Sequence, residues 1–334
     1  MKFGITLLAD DLGKLGERAR LAEGIGFEYI GVADSQSLFR ELYVSLAVVA
    51  QATNHARIGP TVTNPLTRHP AVTSSAIASI DELSHGRAFL GIGSGDSAVL
   101  NLNLRPARMS QVKEYVQAVR THLSGDSYSY QGRDTHGRWA DAPVPILMAA
   151  EGPRTLKLAG EIADAVLVHT GLTPDILRRS ISLIREGEAD AGKPVGSVEI
   201  WAFAKCNVAN DQETAIQEIK MALAASGHHA FRYTLEGKHV PEELHEAVAV
   251  LQRDYVPVEH EQLGHTRNAT LSDELGLTDF LADRFAVVGT PDQCREKVRG
   301  IPEAGVDVLL ATAIGPQPDV IIERFGREVA ALSG

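Results

Sequence analysis

Polar side chains recur just behind short apolar runs: Asp34-Ser35, Thr63-Asn64, Ser94 and Asp96, Glu151-Gly152, His169-Thr170-Gly171, Cys206-Asn207 and Thr312. Carboxylates, hydroxyls, amides and an imidazole can hydrogen-bond a ligand and move a proton. Any strand end needs turn residues, so a single position says little, but seven such ends describe a polar rim. Two stretches are more specific. In "AAEGPRTLKLAGEIADAVLVHTG" (149–171), Gly152-Pro153 opens a helix with proline where its missing N–H is harmless, and Gly171 precedes another helix start. Two adjacent helix N-termini, with Glu151, His169 and Thr170 beside them, suit a phosphate. In "RAFLGIGSGDS" (87–97), Gly91, Gly93 and Gly95 alternate, and position 98 is Ala where a dinucleotide fingerprint needs its third glycine. This stretch therefore approaches a ring or a substrate rather than a phosphate.

Twelve histidines raise the question of a metal. None has H-E-x-x-H spacing or a cysteine companion, and adjacent His228 and His229 are ill placed to share an ion, so no metal site is expected. His69 follows the third apolar run, and an imidazole titrates near neutrality, which suits proton transfer. His260 and His265, in "VEHEQLGH", would line a pocket if their segment folds over the rim. These three histidines are the catalytic candidates.

The elements that must carry these groups follow from periodicity. Strands are expected at 2–8, 28–33, 57–63, 87–93, 145–150, 164–169, 198–206 and 306–312, with amphipathic stretches such as "KLGERARLAEGIGFE" between them. Eight strand–helix units call for parallel strands with right-handed crossovers, and eight close a barrel where a doubly wound sheet has fewer. The expected fold is an α/β chain forming a single (β/α)8 TIM barrel over residues 1–334. About 45 residues after the fourth strand hold a helix and a polar excursion near 126–140, and an insertion of about 208–280 separates strands seven and eight.

A net charge of -11 speaks against a nucleic-acid surface. No apolar run approaches the roughly 18 residues of a membrane span. "MKFGITLLADD" turns acidic too early for a secretory signal, and Cys206 and Cys294 are spaced as free thiols of a reducing compartment. A cytoplasmic protein is expected, with neither nucleic acid nor membrane among its partners.

"GPTVTNPLTRHPAVTSSAIASIDELSHGRAFLGIGSGDSA" (59–98) closely resembles the same segment of the luciferase-like flavin-dependent oxidoreductases, with the methylenetetrahydromethanopterin reductases as the nearest group. "AEGPRTLKLAGEIADAVLVH" and "FAVVGTPDQCREKVRGIPEAGVDVLL" match later motifs in the same order, so the resemblance runs from residue 1 to about 330. It implies a (β/α)8 barrel with a flavin or deazaflavin at its top. It further implies a non-prolyl cis peptide at Thr61-Val62 behind the ring, Asn64 at the ring's polar edge, and Ser94 to Ser97, with Asp96, beside ring and substrate. The phosphate would rest near Gly152, Pro153 and Gly171, with Asp34, Glu151, His169 and Thr170 completing the cofactor-facing set. Such barrels generally associate, and the small residues of "PAVTSSAIASIDEL" (70–83) permit close packing, so a homodimer or higher homo-oligomer is expected.

The chain departs from the methanopterin reductases in three places. Asp34-Ser35 stands where they have Asp-His, Arg68-His69-Pro70 where they have Arg-Ser-Pro, and the insertion carries its own His228, His229, Tyr233, Tyr255, His260 and His265. These differences point away from a methanopterin substrate. The expected function is an FMN-dependent monooxygenase of a small organic substrate, using molecular oxygen and reduced FMN from a separate flavin reductase. The alternatives are a hydride-transferring oxidoreductase that uses the deazaflavin coenzyme F-420, and a non-catalytic flavin-binding relative.

Overall fold

The computed structural model describes residues 1–136, 139 and 143–332. Its apolar runs form β1 (Lys2–Leu7), β2 (Tyr29–Val32), β3 (Arg57–Pro60) and β4 (Leu90–Ile92), then a hairpin of β5 (Ser127–Tyr130) and β6 (Arg133–His136). They continue as β7 (Ile146–Ala150), β8 (Ala165–Val168), β9 (Glu199–Val208), β10 (Ala286–Gly289) and β11 (Val308–Ala313). The main sheet runs β3-β2-β1-β11-β9-β8-β7-β4, parallel throughout. Its two ends meet at the bridges Ile58–Ala88 and Thr63–Ile92, where the Thr63 N–H donates to the Gly91 carbonyl (3.0 Å) and the Gly93 N–H to the Thr63 carbonyl (2.9 Å). These bridges close the eight-stranded barrel.

Strand alternation sorts the interior into layers, because every second side chain points inward. Tyr29, Phe89, Leu147, Leu167, Trp201 and Leu310 fill the lower barrel as one buried cluster. Glycines make room for them: a Cβ at Gly59 would lie 2.7 Å from the Phe89 ring. Moving up each strand by the same period of two leads from Leu147 through Ala149 to Glu151, from Leu167 to His169, from Trp201 through Phe203 to Lys205, and from Leu310 to Thr312. The polar layer is the continuation of the apolar one, at the C-terminal ends of the strands.

Helices coat the outside. Pro153–Ile162 and Pro174–Asp190 approach so closely that a Cβ at Gly160 would sit 2.1 Å from the Ile184 carbonyl oxygen, and one at Gly187 2.0 Å from that of Lys157. This contact fixes the helix start at Gly152-Pro153.

The expected polar excursion near 126–140 is instead an antiparallel hairpin, β5 with β6, that buries Tyr128 and Tyr130; residues 137, 138 and 140–142 lie outside the described ones. The insertion folds into helices Gln212–Gln217, Lys220–Ala230, His245–Asp254, Arg267–Glu274 and Thr278–Phe285 around an apolar cluster that includes Leu223, Phe231, Leu251 and Leu281. It rejoins the barrel through β10, which extends the sheet beside the upper half of β9. Among the described residues, no helix is long and apolar enough to cross a membrane.

Candidate functional site

The polar layer opens into a cavity of about 780 Å³ between the barrel mouth and the insertion, a size suited to a cofactor-scale ligand. Asp34, Thr61, Val62, Asn64, Ser94, Asp96, Glu151 and His169 all line it, so the polar ends of β2, β3, β4, β7 and β8 do converge. The Thr61–Val62 peptide is cis, at the bond the resemblance indicated, and the Thr61 and Thr6 hydroxyls are 3.0 Å apart. Asn64 turns its Oδ1 to the N–H groups of Leu66 and Thr67 (2.9 and 3.0 Å), closing the turn after β3. Asp34 accepts from the Thr63 hydroxyl and from Arg68, both at 2.6 Å.

Two of the three catalytic candidates change role. His69 is exposed and does not line the cavity; its Nδ1 accepts from the Ala71 N–H (3.2 Å) and caps the helix Pro70–Leu83, with its ring edge against Tyr130. A proline at the first helical position leaves the next N–H free, and the preceding side chain caps it. His265 is exposed and likewise does not line the cavity. His260 does line the cavity: its Nδ1 lies 2.7 Å from the Tyr255 hydroxyl and 3.9 Å from Asp96.

A charged chain crosses the mouth through a residue that spacing did not single out, His229, on the insertion's helix Lys220–Ala230. Its Nδ1 lies 3.2 Å from Asp96 and its Nε2 contacts Glu151, whose Oε1 is 3.4 Å from the Nδ1 of His169. Arg232, one turn on, reaches Asp96 at 3.2 Å. Burial and Arg232 push the His229 pKa down, but the Glu151 and Asp96 carboxylates outweigh them and its net pKa is raised. Burial works against ionisation of both carboxylates; His229 reverses this, helped by Arg232 at Asp96 and by His169 at Glu151, so both stay well below the usual range. Burial pushes His169 down, more than Glu151 pulls it up. The arrangement is an imidazole of raised pKa between two carboxylates on a cavity wall, able to hold a proton and hand it on.

His228, adjacent in sequence, turns the other way and stacks on Tyr255 at 4.1 Å between ring centres, so a pair that looks redundant in sequence has two separate jobs. Glu151, His169 and His229 also bring three potential metal-ligand atoms within 4.8 Å, but both His229 nitrogens already face a carboxylate.

Of the residues expected around a phosphate, Pro153 and Thr170 line a second, smaller recess together with Arg179, Ser180, Lys238 and Arg284, so the helix start has cations around it. Gly152 and Gly171 line neither this recess nor the large cavity. The Gly152 N–H donates to the Thr155 hydroxyl (3.0 Å), and that of Thr170 lies 2.9 Å from Ser180. Gly171 has φ 137°, and a Cβ there would lie 2.9 Å from the Arg284 side chain; its missing side chain admits Arg284, which donates to the Thr170 carbonyl.

Comparison with known proteins agrees with this architecture. The family model for luciferase-like monooxygenases matches residues 1–308. The 5,10-methylenetetrahydromethanopterin reductase of Methanopyrus kandleri is 30% identical, over 98% of this chain and 97% of its own. The F420-dependent glucose-6-phosphate dehydrogenase of Nakamurella multipartita is 25% identical over 98% and 95%. The solved structure of the coenzyme F420-dependent tetrahydromethanopterin reductase from Methanopyrus kandleri superposes with a TM-score of 0.79 at 26% identity, covering 100% of this chain and 99% of that one.

Proposed function

Since the chain belongs to the luciferase-like monooxygenase family, we propose that it is an oxidoreductase that uses coenzyme F420 to move a hydride to or from a small organic substrate. The observation that carries this reading is the half-buried His229 imidazole, held between Asp96 and Glu151 on the wall of the large cavity. Hydride transfer to a carbonyl or from an alcohol must be matched by a proton, and an imidazole of raised pKa on the cavity wall can supply or take one. Full-length relatives named for F420 support the deazaflavin cofactor. The FMN and oxygen chemistry favoured by the insertion's histidines and tyrosines, with its separate reductase, has support from the family as a whole.

The residues fit such a cofactor. His169 Nε2 and Ser226 Oγ are buried, belong to cavity-lining residues and have no hydrogen-bond partner among the described residues. A ligand rich in oxygen and nitrogen would satisfy them. The recess at Pro153, with Arg179 and Lys238, would take its phosphate. When bound, F420 supplies the hydride acceptor or donor.

The chain's own residues do the rest. His229 gives the Nε2 proton to a substrate oxygen that takes the place of Glu151 at that nitrogen, or takes one back in the oxidative direction. Asp96, anchored by Arg232, stays on Nδ1 and keeps the ring oriented while Nε2 exchanges. The insertion over the mouth excludes water from that exchange. Titration of the purified protein with F420 and with FMN tests the reading, together with anaerobic assays of F420 reduction by a panel of small alcohols. Tighter binding of F420 is expected; preferential FMN binding with oxygen consumption would restore the monooxygenase reading.

A further inference from the structure

One charged pair in the cavity takes no part in the His229 chain. Lys205, on β9, is the next inward residue after Phe203; its Nζ sits 4.9 Å over the Phe203 ring and is ion-paired with Glu261. Each side chain is only 6% exposed, and both residues line the cavity. Glu261 does not belong to the barrel. It arrives from the insertion, just beyond the turn Pro257–Glu259, with a left-handed φ of 58° that a residue with a side chain seldom adopts. Its segment is fastened to the rim by the Asn101 amide on the Pro257 carbonyl (3.3 Å) and by His260 facing Asp96. In register with Lys205 on the neighbouring strand stands Thr312, 1% exposed, whose hydroxyl has no hydrogen-bond partner among the described residues and which lines the same cavity. A buried ammonium and an unused hydroxyl side by side are the complement of a carboxylate, and a carboxylate from the chain's own insertion is what Lys205 holds.

We propose that Lys205 and Thr312 form the anchor for a carboxylate group of the substrate, and that Glu261 occupies this anchor until the substrate displaces it. This names the substrate class, a small organic acid, within the oxidoreductase reading on which it rests; the anchor itself belongs to the chain and needs no cofactor. Displacing Glu261 also frees the segment around it, so substrate entry and opening of the insertion become one event.

Calorimetry on the full chain tests this with benzoate as the carboxylate probe, benzamide as its neutral counterpart and inorganic phosphate as a second anion. Benzoate is expected to bind at least tenfold more tightly than benzamide or phosphate. Glu261→Gln removes the internal competitor and should tighten benzoate at least tenfold, while Thr312→Val should weaken it several-fold. The double variant Lys205→Met/Glu261→Gln, which leaves neither charge unpaired, should lose benzoate binding. Equal affinity in wild type and Glu261→Gln, retained binding in the double variant, or tighter phosphate than benzoate would each overturn the proposal. The wild type gives a readout without any substitution: saturating benzoate should speed tryptic cleavage at Arg253 and Arg267, which flank the segment, and an unchanged rate refutes displacement. F420 titration of the same samples separates the two readings, since a protein that binds benzoate as stated but not F420 keeps the anchor and loses the cofactor assignment.

Discussion

At the scale of single residues, the site is governed by how charge is compensated where water is scarce. Asp96 collects His229, Arg232 and His260, while Glu151 collects His229 and His169. Asp96→Asn should therefore lower the His229 pKa, read by NMR titration of its ring protons, and weaken folding by about 1–3 kcal/mol. The raised pKa of His229 means that its contribution to stability is complete below the ordinary histidine value and is lost as pH climbs through the folded value. The lowered carboxylates act in the opposite sense, stabilising above their ordinary range and failing as pH falls. His228 adds a third dependence: burial pushes it down to about 4, so between pH 6.5 and 4 the unfolded chain binds a proton that the folded chain does not, which costs the fold about 3 kcal/mol by pH 4. His228→Gln should flatten that limb of a stability–pH curve measured by urea unfolding, while a curve unchanged in shape would remove His228 as its cause. Asp96, Glu151 and His169 were legible as strand ends. His229 was not, because its partners lie far away in sequence and the HH doublet hides two opposite orientations. Lys205 had a usable signal: it continues the inward alternation Trp201, Phe203, Lys205.

Elements were legible where a period was sustained. Six of the eight barrel strands fall within the apolar runs, and β9 and β11 overrun theirs to Val208 and Ala313, since a buried parallel strand needs little besides continuous apolar residues. The hairpin β5–β6 was missed because only its Tyr128 and Tyr130 face inward and the rest is polar. β10 was missed because "AVVG" follows directly on a helix, with no turn residues to announce it. The helix pair Pro153–Ile162 and Pro174–Asp190 offers a sharp test of element positioning. Gly160→Ala puts a methyl against the Ile184 carbonyl, a backbone neighbour that cannot turn away, and should cost about 1–3 kcal/mol or more in calorimetric unfolding. Because this contact also sets the helix start at Gly152-Pro153, the same variant should weaken cofactor binding more than a matched surface substitution such as Gly24→Ala, where a Cβ meets nothing within 4 Å. The covering segment gives the complementary case. A deletion of 250–266 would remove Leu251, which is wholly buried in the insertion's core, so the cover is better tested by replacing 257–264 with glycine and serine. That variant should keep its unfolding temperature within a few degrees and lose protection of the cavity, seen as faster quenching of bound cofactor fluorescence by iodide.

For the whole molecule, the remaining question is what covers the outer helices. Leu42–Ala52 and Pro70–Leu83 run side by side on the barrel, and they present Val44 and Val72, 53% and 56% exposed, beside small residues such as Ser75. Single exposed valines are ordinary on any surface. Two on adjacent helices, with serines and alanines that let a facing helix come close, suit a two-fold interface in which the same pair packs on its own copy. A stable contact needs roughly 800 Å² from each partner, about the outer face of two such helices. The high net negative charge of -11 favours solubility and works against association except where charge is sparse; the helix Pro70–Leu83 carries only Asp81 and Glu82, both in its last turn. The prediction is a homodimer joined through these helices. Light scattering at micromolar concentration should give twice the 35.9 kDa chain mass, and Val72→Asp should return it to one chain while leaving F420 affinity within about twofold, because that residue does not line the cavity. A wild-type mass of one chain would remove the interface, and a dimer that survives both Val44→Asp and Val72→Asp would place it on another face of the barrel.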